Sequence, residues 1–118
     1  MKYFRLMLRA EGIEVPNDEP TAPPALGYVT TRFARGLSEG AASYRAIAAE
    51  WDAWVGEGWA EVDRGQLTLY ADQSVPVTRR AYARAKLKAW RRGRVGRTFW
   101  DTPDDDPEQP TPPAPDRL

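Results

Sequence analysis

Lys2-Tyr3-Phe4-Arg5-Leu6-Met7-Leu8-Arg9 alternates throughout, with Phe4, Leu6 and Leu8 on one side and Tyr3, Arg5, Met7 and Arg9 on the other. A period of two over this length predicts a half-buried strand, because successive side chains of an extended backbone point to opposite faces. The apolar face of such a strand needs a covering layer, which the rest of the chain must supply.

Working outward, Gly27-Tyr28-Val29-Thr30-Thr31-Arg32-Phe33-Ala34 is rich in β-branched and aromatic residues and predicts a second strand. Pro16, Pro20, Pro23 and Pro24 punctuate the piece between the two strands, which predicts a surface loop over residues 16–26. Ser38 then precedes a run in which Tyr44, Ile47, Trp51 and Trp54 or Val55 recur at helical spacing. A helix from Glu39 to about Val55 follows, capped by Ser38 and ended by Gly56 and Gly58.

Trp59–Val62 and Gln66–Tyr70 flank Asp63-Arg64-Gly65, which predicts a hairpin of two further strands turning on the glycine. Val75-Pro76-Val77 leads to Thr78, the expected cap of a second helix from Arg79 to about Arg92, with Gly93 just beyond it. Arg97-Thr98-Phe99-Trp100 adds a short edge strand. The expected architecture is a two-layer α+β domain over residues 1–100, an antiparallel sheet with two helices on one face in the order ββαββα(β). That doubled order is compatible with a ferredoxin-like arrangement. Residues 101–118 hold six prolines, six acids and one large apolar residue, which predicts a disordered tail.

The chain has 118 residues, 17 basic and 17 acidic, with no histidine and no cysteine. Ser-His-Asp and Cys-His mechanisms are therefore impossible, and the commonest metal ligands are missing. No apolar run approaches a membrane span or a secretory leader, so a cytoplasmic protein without cofactor or metal is expected. The neutral total hides segregation: residues 1–35, 36–78, 79–100 and 101–118 carry nets of +1, −5, +9 and −5.

The sharpest chemical feature is the basic segment from Arg79 to Arg97. On a helix, Arg80, Arg84, Lys88 and Arg91 form one stripe, while Ala83, Leu87 and Trp90 form another that could face the sheet. Clustered guanidinium groups attract phosphate at long range and hold it with paired hydrogen bonds. Arg80, Arg84, Lys88, Arg91, Arg92, Arg94 and Arg97 are therefore the candidate phosphate or partner contacts, with Tyr82 as a stacking group. A solvated helix face balanced by the protein's own acids is the alternative, and 14 of the 17 basic residues are arginine chain-wide.

Gly93-Arg94-Val95-Gly96 has the G-x-x-G form of a phosphate clamp but lacks a flanking helix-loop-helix, and Gly56-Glu57-Gly58 opens no helix. Glu57, Glu61 and Asp63 could cluster near the hairpin, although a solvated acidic face explains them as well. Asp104-Asp105-Asp106 lacks the glycine and spaced ligands of a calcium loop. Of the five tryptophans, Trp51, Trp54, Trp59 and Trp90 are expected as core or interface anchors, and Trp100 borders the tail.

The stretch Gly27-Tyr28-Val29-Thr30-Thr31-Arg32-Phe33, with the later Arg97-Thr98-Phe99-Trp100-Asp101, resembles a set of small uncharacterised bacterial proteins carrying a G-[F/Y]-x-T-T-R-F strand and an aromatic closing strand. The resemblance covers these two pieces and implies no activity, and the basic Arg79–Arg97 segment departs from it. Two readings of function follow. The first is a non-catalytic cytoplasmic binding or adaptor domain working through protein contacts, homodimeric through a sheet edge or face, because Tyr3 and Met7 give the first strand a second apolar side. The second is a nucleic-acid-associated regulator that uses the basic helix, with the acidic tail folding back to compete.

Overall fold

β1 (Lys2–Val15) and β2 (Ala25–Gly36) form a long antiparallel hairpin, Lys2 opposite Gly36 and Glu11 opposite Gly27. In this computed structural model, which describes residues 1–19, 21–92 and 96–101, that hairpin is the centre of a four-stranded sheet. β3 (Thr68–Val77) pairs with the outer side of β1, and β4 (Thr98–Trp100) pairs with β2, giving the order β3-β1-β2-β4 with every neighbour antiparallel. The domain is a two-layer α+β fold. Its two central strands are a hairpin, so the sheet contains no split βαβ unit of the ferredoxin-like kind.

α1 (Glu39–Gly56) begins where Ser38 Oγ accepts the Ala41 N–H at 3.1 Å. It crosses the sheet face that carries Phe4, Leu6 and Leu8. Ala42, Ala46, Glu50 and Trp54 are its buried residues, while Tyr44, Trp51 and Val55 are exposed. The apolar stripe expected from the sequence is thus rotated. Phe4, Leu6 and Leu8 already fill the space above this part of the sheet, so the helix approaches them through Ala42, Ala46 and Ile47, Trp54 packs farther along on Tyr28, and Tyr44, Trp51 and Val55 point away.

The expected third strand is a helical turn, α2 (Trp59–Val62), entered through Gly58 in the left-handed conformation at φ 87°. Tertiary packing overrides the strand propensity here, because the turn brings the Trp59 ring onto Trp54 at 5.6 Å. The hairpin expected around Gly65 is likewise absent. Arg64 N–H donates to Glu14 O at 2.9 Å and Gln66 N–H to Gly12 O at 2.8 Å, so this segment lies against the end of β1. Gly65 is needed there for closeness: a Cβ would stand 2.1 Å from the Gly12 carbonyl oxygen. The Asp63 carboxylate pins the turn by accepting the Glu14 and Gly65 N–H groups, both at 2.8 Å.

α3 (Arg79–Arg92) starts at Thr78, whose Oγ1 accepts the Ala81 N–H at 3.1 Å. Its Tyr82 ring meets Tyr3 edge-on at 4.9 Å. Tyr3 alternates with Phe4, so α3 lies on the side of the sheet away from α1, which corrects the expectation of both helices on one face. Two crossovers explain the division. α1 links β2 to β3 over one face, and α3 links β3 to β4 across the other. α3 contains no buried residue and straps the sheet without adding a packed layer.

Candidate anion-binding interface

The structure turns α3 about its axis relative to the sequence expectation. Ala81, Tyr82 and Ala85 are its half-buried residues, whereas Ala83, Leu87 and Trp90 are exposed, with Leu87 at 49% and Trp90 at 78%. Trp90 is therefore not a core anchor. Trp54 and Trp100 are buried, Trp59 is half-buried and Trp51 is exposed.

Arg80, Arg84, Lys88, Arg91 and Arg92 all reach solvent. Among the described residues no carboxylate pairs with any of them. Helical spacing sets Leu87 and Trp90 beside Arg80, Arg84 and Arg91 on the outward side. The result is an exposed cationic face with an aromatic ring in it. Arg94, the Gly93-Arg94-Val95 part of the clamp-like motif, the Asp104–Asp106 run and the tail from residue 102 lie outside the described residues.

Two sequence candidates leave this face. Tyr82 is engaged by Tyr3 and has the Lys86 ammonium over its ring at 5.6 Å, so Trp90 takes the place proposed for it as the exposed ring. Arg97 is buried: its Nε donates to Glu50 Oε2 at 2.8 Å and its terminal nitrogens to both oxygens of Glu57, at 2.8 and 3.3 Å. Burial works against its charge, and the bonds to Glu57 and Glu50 outweigh that, raising its pKa above the usual arginine value. The guanidinium also lies 5.4 Å over Tyr28 and 5.8 Å over Trp54.

Glu50 is the hub, fully buried and accepting from the Tyr28 hydroxyl, Arg97 Nε and Arg32 Nε, the last at 2.9 Å. Burial, then the hydrogen bond to Glu50, pushes the Tyr28 phenol above its ordinary range. Both pieces of the resemblance meet here. Tyr28, Thr30 and Arg32 alternate along the inner face of β2, and Thr30 Oγ1 donates to the Gly96 carbonyl just ahead of Arg97. Three hydrogen-bonding side chains on the inner face of a strand are the signal that could have revealed this network from sequence.

A second cationic feature escaped the sequence reading. Beyond Val29 the edge of β2 has no strand partner among the described residues. A groove of about 130 Å³ there is lined by Arg32, Phe33 and Arg35 of β2, Arg45 of α1, and Tyr82 and Lys86 of α3. Burial first, then Arg32 and Arg35, lower the Lys86 pKa. The carboxylates expected near the hairpin do not share a site: Glu57 pairs with Arg97, Asp63 holds a turn and Glu61 faces solvent. No group of three or more His, Cys, Asp or Glu fit to hold a metal occurs among the described residues. No helix among them is long and apolar enough to cross a membrane. No protein-family model, curated protein or solved structure matches the chain.

Proposed function

We propose that this chain is a non-catalytic cytoplasmic binding domain whose α3 takes single-stranded nucleic acid. Arg80, Arg84, Lys88, Arg91 and Arg92 contact phosphates, and a base stacks on Trp90. The observation that carries the reading is an exposed cationic helix face, with no carboxylate partner among the described residues, set around a tryptophan that is 78% exposed. Charge that tracks a backbone and a ring that stacks bases are the two components of sequence-tolerant single-strand binding.

Fluorescence anisotropy with a labelled oligonucleotide tests it. Five phosphate contacts give a slope of log affinity against log salt of about −3.5, since each contact on a single strand contributes about −0.7. The double variant Arg84→Glu/Arg91→Glu should lower affinity about 100-fold at low salt and flatten that slope by about two contacts' worth. Absence of binding at low salt, or an unchanged slope in the double variant, would reject the reading.

Self-association is a second reading, favoured by the sheet side that α1 leaves open. Met7 is half-buried there, and Tyr70 and Val75 of the edge strand β3 are 37% and 40% exposed. A symmetric pair of sheets would cover them. Sedimentation equilibrium at high micromolar concentration should then report twice the 13.3 kDa chain mass, and a monomer would end this reading.

A further inference from the structure

The groove at the open edge of β2 gathers cations in a way the outer face of α3 does not. Arg32, Arg35, Arg45 and Lys86 line it together, and among the described residues no carboxylate lines it with them. Among the described residues the one acid that bonds to any of the four is Glu50, which accepts from Arg32 Nε while sharing its charge with Arg97. Lys86 stands out. It lines the groove with Tyr82, its ammonium 5.6 Å over that ring, and the charged side chains that line the groove with it are Arg32, Arg35 and Arg45. Like charges held at one concavity raise the free energy of the empty protein, and an anion relieves that cost.

Arg32 supplies the geometry. Its side chain is only 16% exposed and its Nε is anchored on the fully buried Glu50, which fixes the plane of the guanidinium. Among the described residues its two terminal nitrogens donate to nothing. A guanidinium held by one edge presents its remaining N–H groups as a ready fork for two oxygens of one anion.

The groove has room for a small group. About 130 Å³ is more than the roughly 30 Å³ share of one water molecule and well short of the ~300 Å³ at which whole-ligand pockets begin. A single tetrahedral oxyanion group fits that range. A contiguous recess of about 110 Å³, lined by Arg32, Lys86 and Arg92 among others, gives the rest of a larger ligand a way out toward the end of α3.

We propose that the β2-edge groove is a phosphate-group site, in which Arg32 grips the group through its two terminal nitrogens and Arg35, Arg45 and Lys86 supply the balancing charge. The group is an inorganic phosphate or the monoester end of a larger molecule. This site stands apart from the outer face of α3 and does not rest on nucleic-acid binding there.

Isothermal titration with sodium phosphate, against sodium chloride at matched ionic strength, tests the proposal on the full chain. One saturable phosphate site is expected. Lys86→Gln and Arg45→Gln, changes at exposed helix positions, should each weaken it about tenfold or more, as loss of a charged hydrogen bond does. Arg84→Glu/Arg91→Glu should leave phosphate affinity unchanged while weakening the oligonucleotide, which separates failure of this site from failure of the α3 reading. Chloride reproducing the phosphate heat, or both glutamine variants binding phosphate as tightly as the parent chain, would overturn the site. Oligonucleotides with and without a 5′-phosphate identify the source: tighter binding of the phosphorylated strand, lost in Lys86→Gln, assigns a polymer end, and equal binding beside an intact phosphate site assigns a small phosphate.

Discussion

Glu50→Ala is expected to destabilise the domain by about 3–5 kcal/mol, because removing one partner of a buried ion pair strands the charges it neutralised. Glu50 has no exposed surface, and both Arg32 and Arg97 donate to it, the latter with a side chain only 3% exposed. Alanine would leave two guanidinium groups and the Tyr28 hydroxyl facing a cavity. A loss of this size is a large share of the roughly 5–15 kcal/mol that holds a domain folded. Guanidinium unfolding should give a much lower midpoint at an unchanged slope. A loss below about 1 kcal/mol, the range of exposed pairs, would mean the network is solvated.

The same network sets the pH window. The Tyr28 pKa is raised in the folded state, so its contribution is complete below the ordinary phenol value of 10.0 and disappears as pH climbs through the raised value. The Glu57 pKa is lowered, chiefly by its hydrogen bond from Arg97, so its contribution is present above the ordinary carboxylate value of 4.5 and lost as pH falls through the lowered one. These two contributions should hold level between those ordinary values, and Tyr28→Phe should abolish the alkaline decline that Tyr28 causes.

Trp54→Ala is expected to cost about 3–5 kcal/mol, the usual range for deleting a buried aromatic side chain. Trp54 is 1% exposed, stacked on Tyr28 at 5.3 Å and on Trp59 at 5.6 Å. Phe99 closes the group against Tyr28 at 5.2 Å and Trp59 at 5.3 Å, so the aromatic cluster around Trp54 ties together α1, α2, β2 and β4. Trp51, three residues earlier and 46% exposed, provides the contrast. Trp51→Ala should change stability by about 0.5 kcal/mol or less, as surface substitutions do. Equal losses in the two variants would show that α1 presents a different side to the sheet.

Local chemistry made several elements legible in the sequence. The Phe4/Leu6/Leu8 alternation marks the core face of β1, and the Ser38 and Thr78 hydroxyls cap the helices that follow them. The elements that were misread depend on what else occupies the space. Trp59–Val62 reads as a strand by composition but turns to deliver a ring to Trp54. Tyr44 and Trp51 read as core by size, yet the sheet face is met by Ala42, Ala46, Ile47 and Trp54 of the helix, and Tyr44 and Trp51 stay exposed. On α3 the most apolar stripe is the exposed one, because a strap that buries no residue is not oriented by its hydrophobicity. The outer basic residues were legible as a charge run. Arg32, Arg35, Arg45 and Lys86 were not, since they come from three elements that only the fold brings together.

A three-residue strand at the rim of a sheet would ordinarily fray, opening at almost no free-energy cost and independently of the rest. β4 is not independent. Arg97 immediately precedes it, so peeling it away pulls the counter-ion from a carboxylate at the centre of the molecule and lifts Phe99 off the aromatic cluster. The shortest strand therefore belongs to the same cooperative unit as the core. Its amides should exchange with solvent hydrogen only as fast as the whole domain opens.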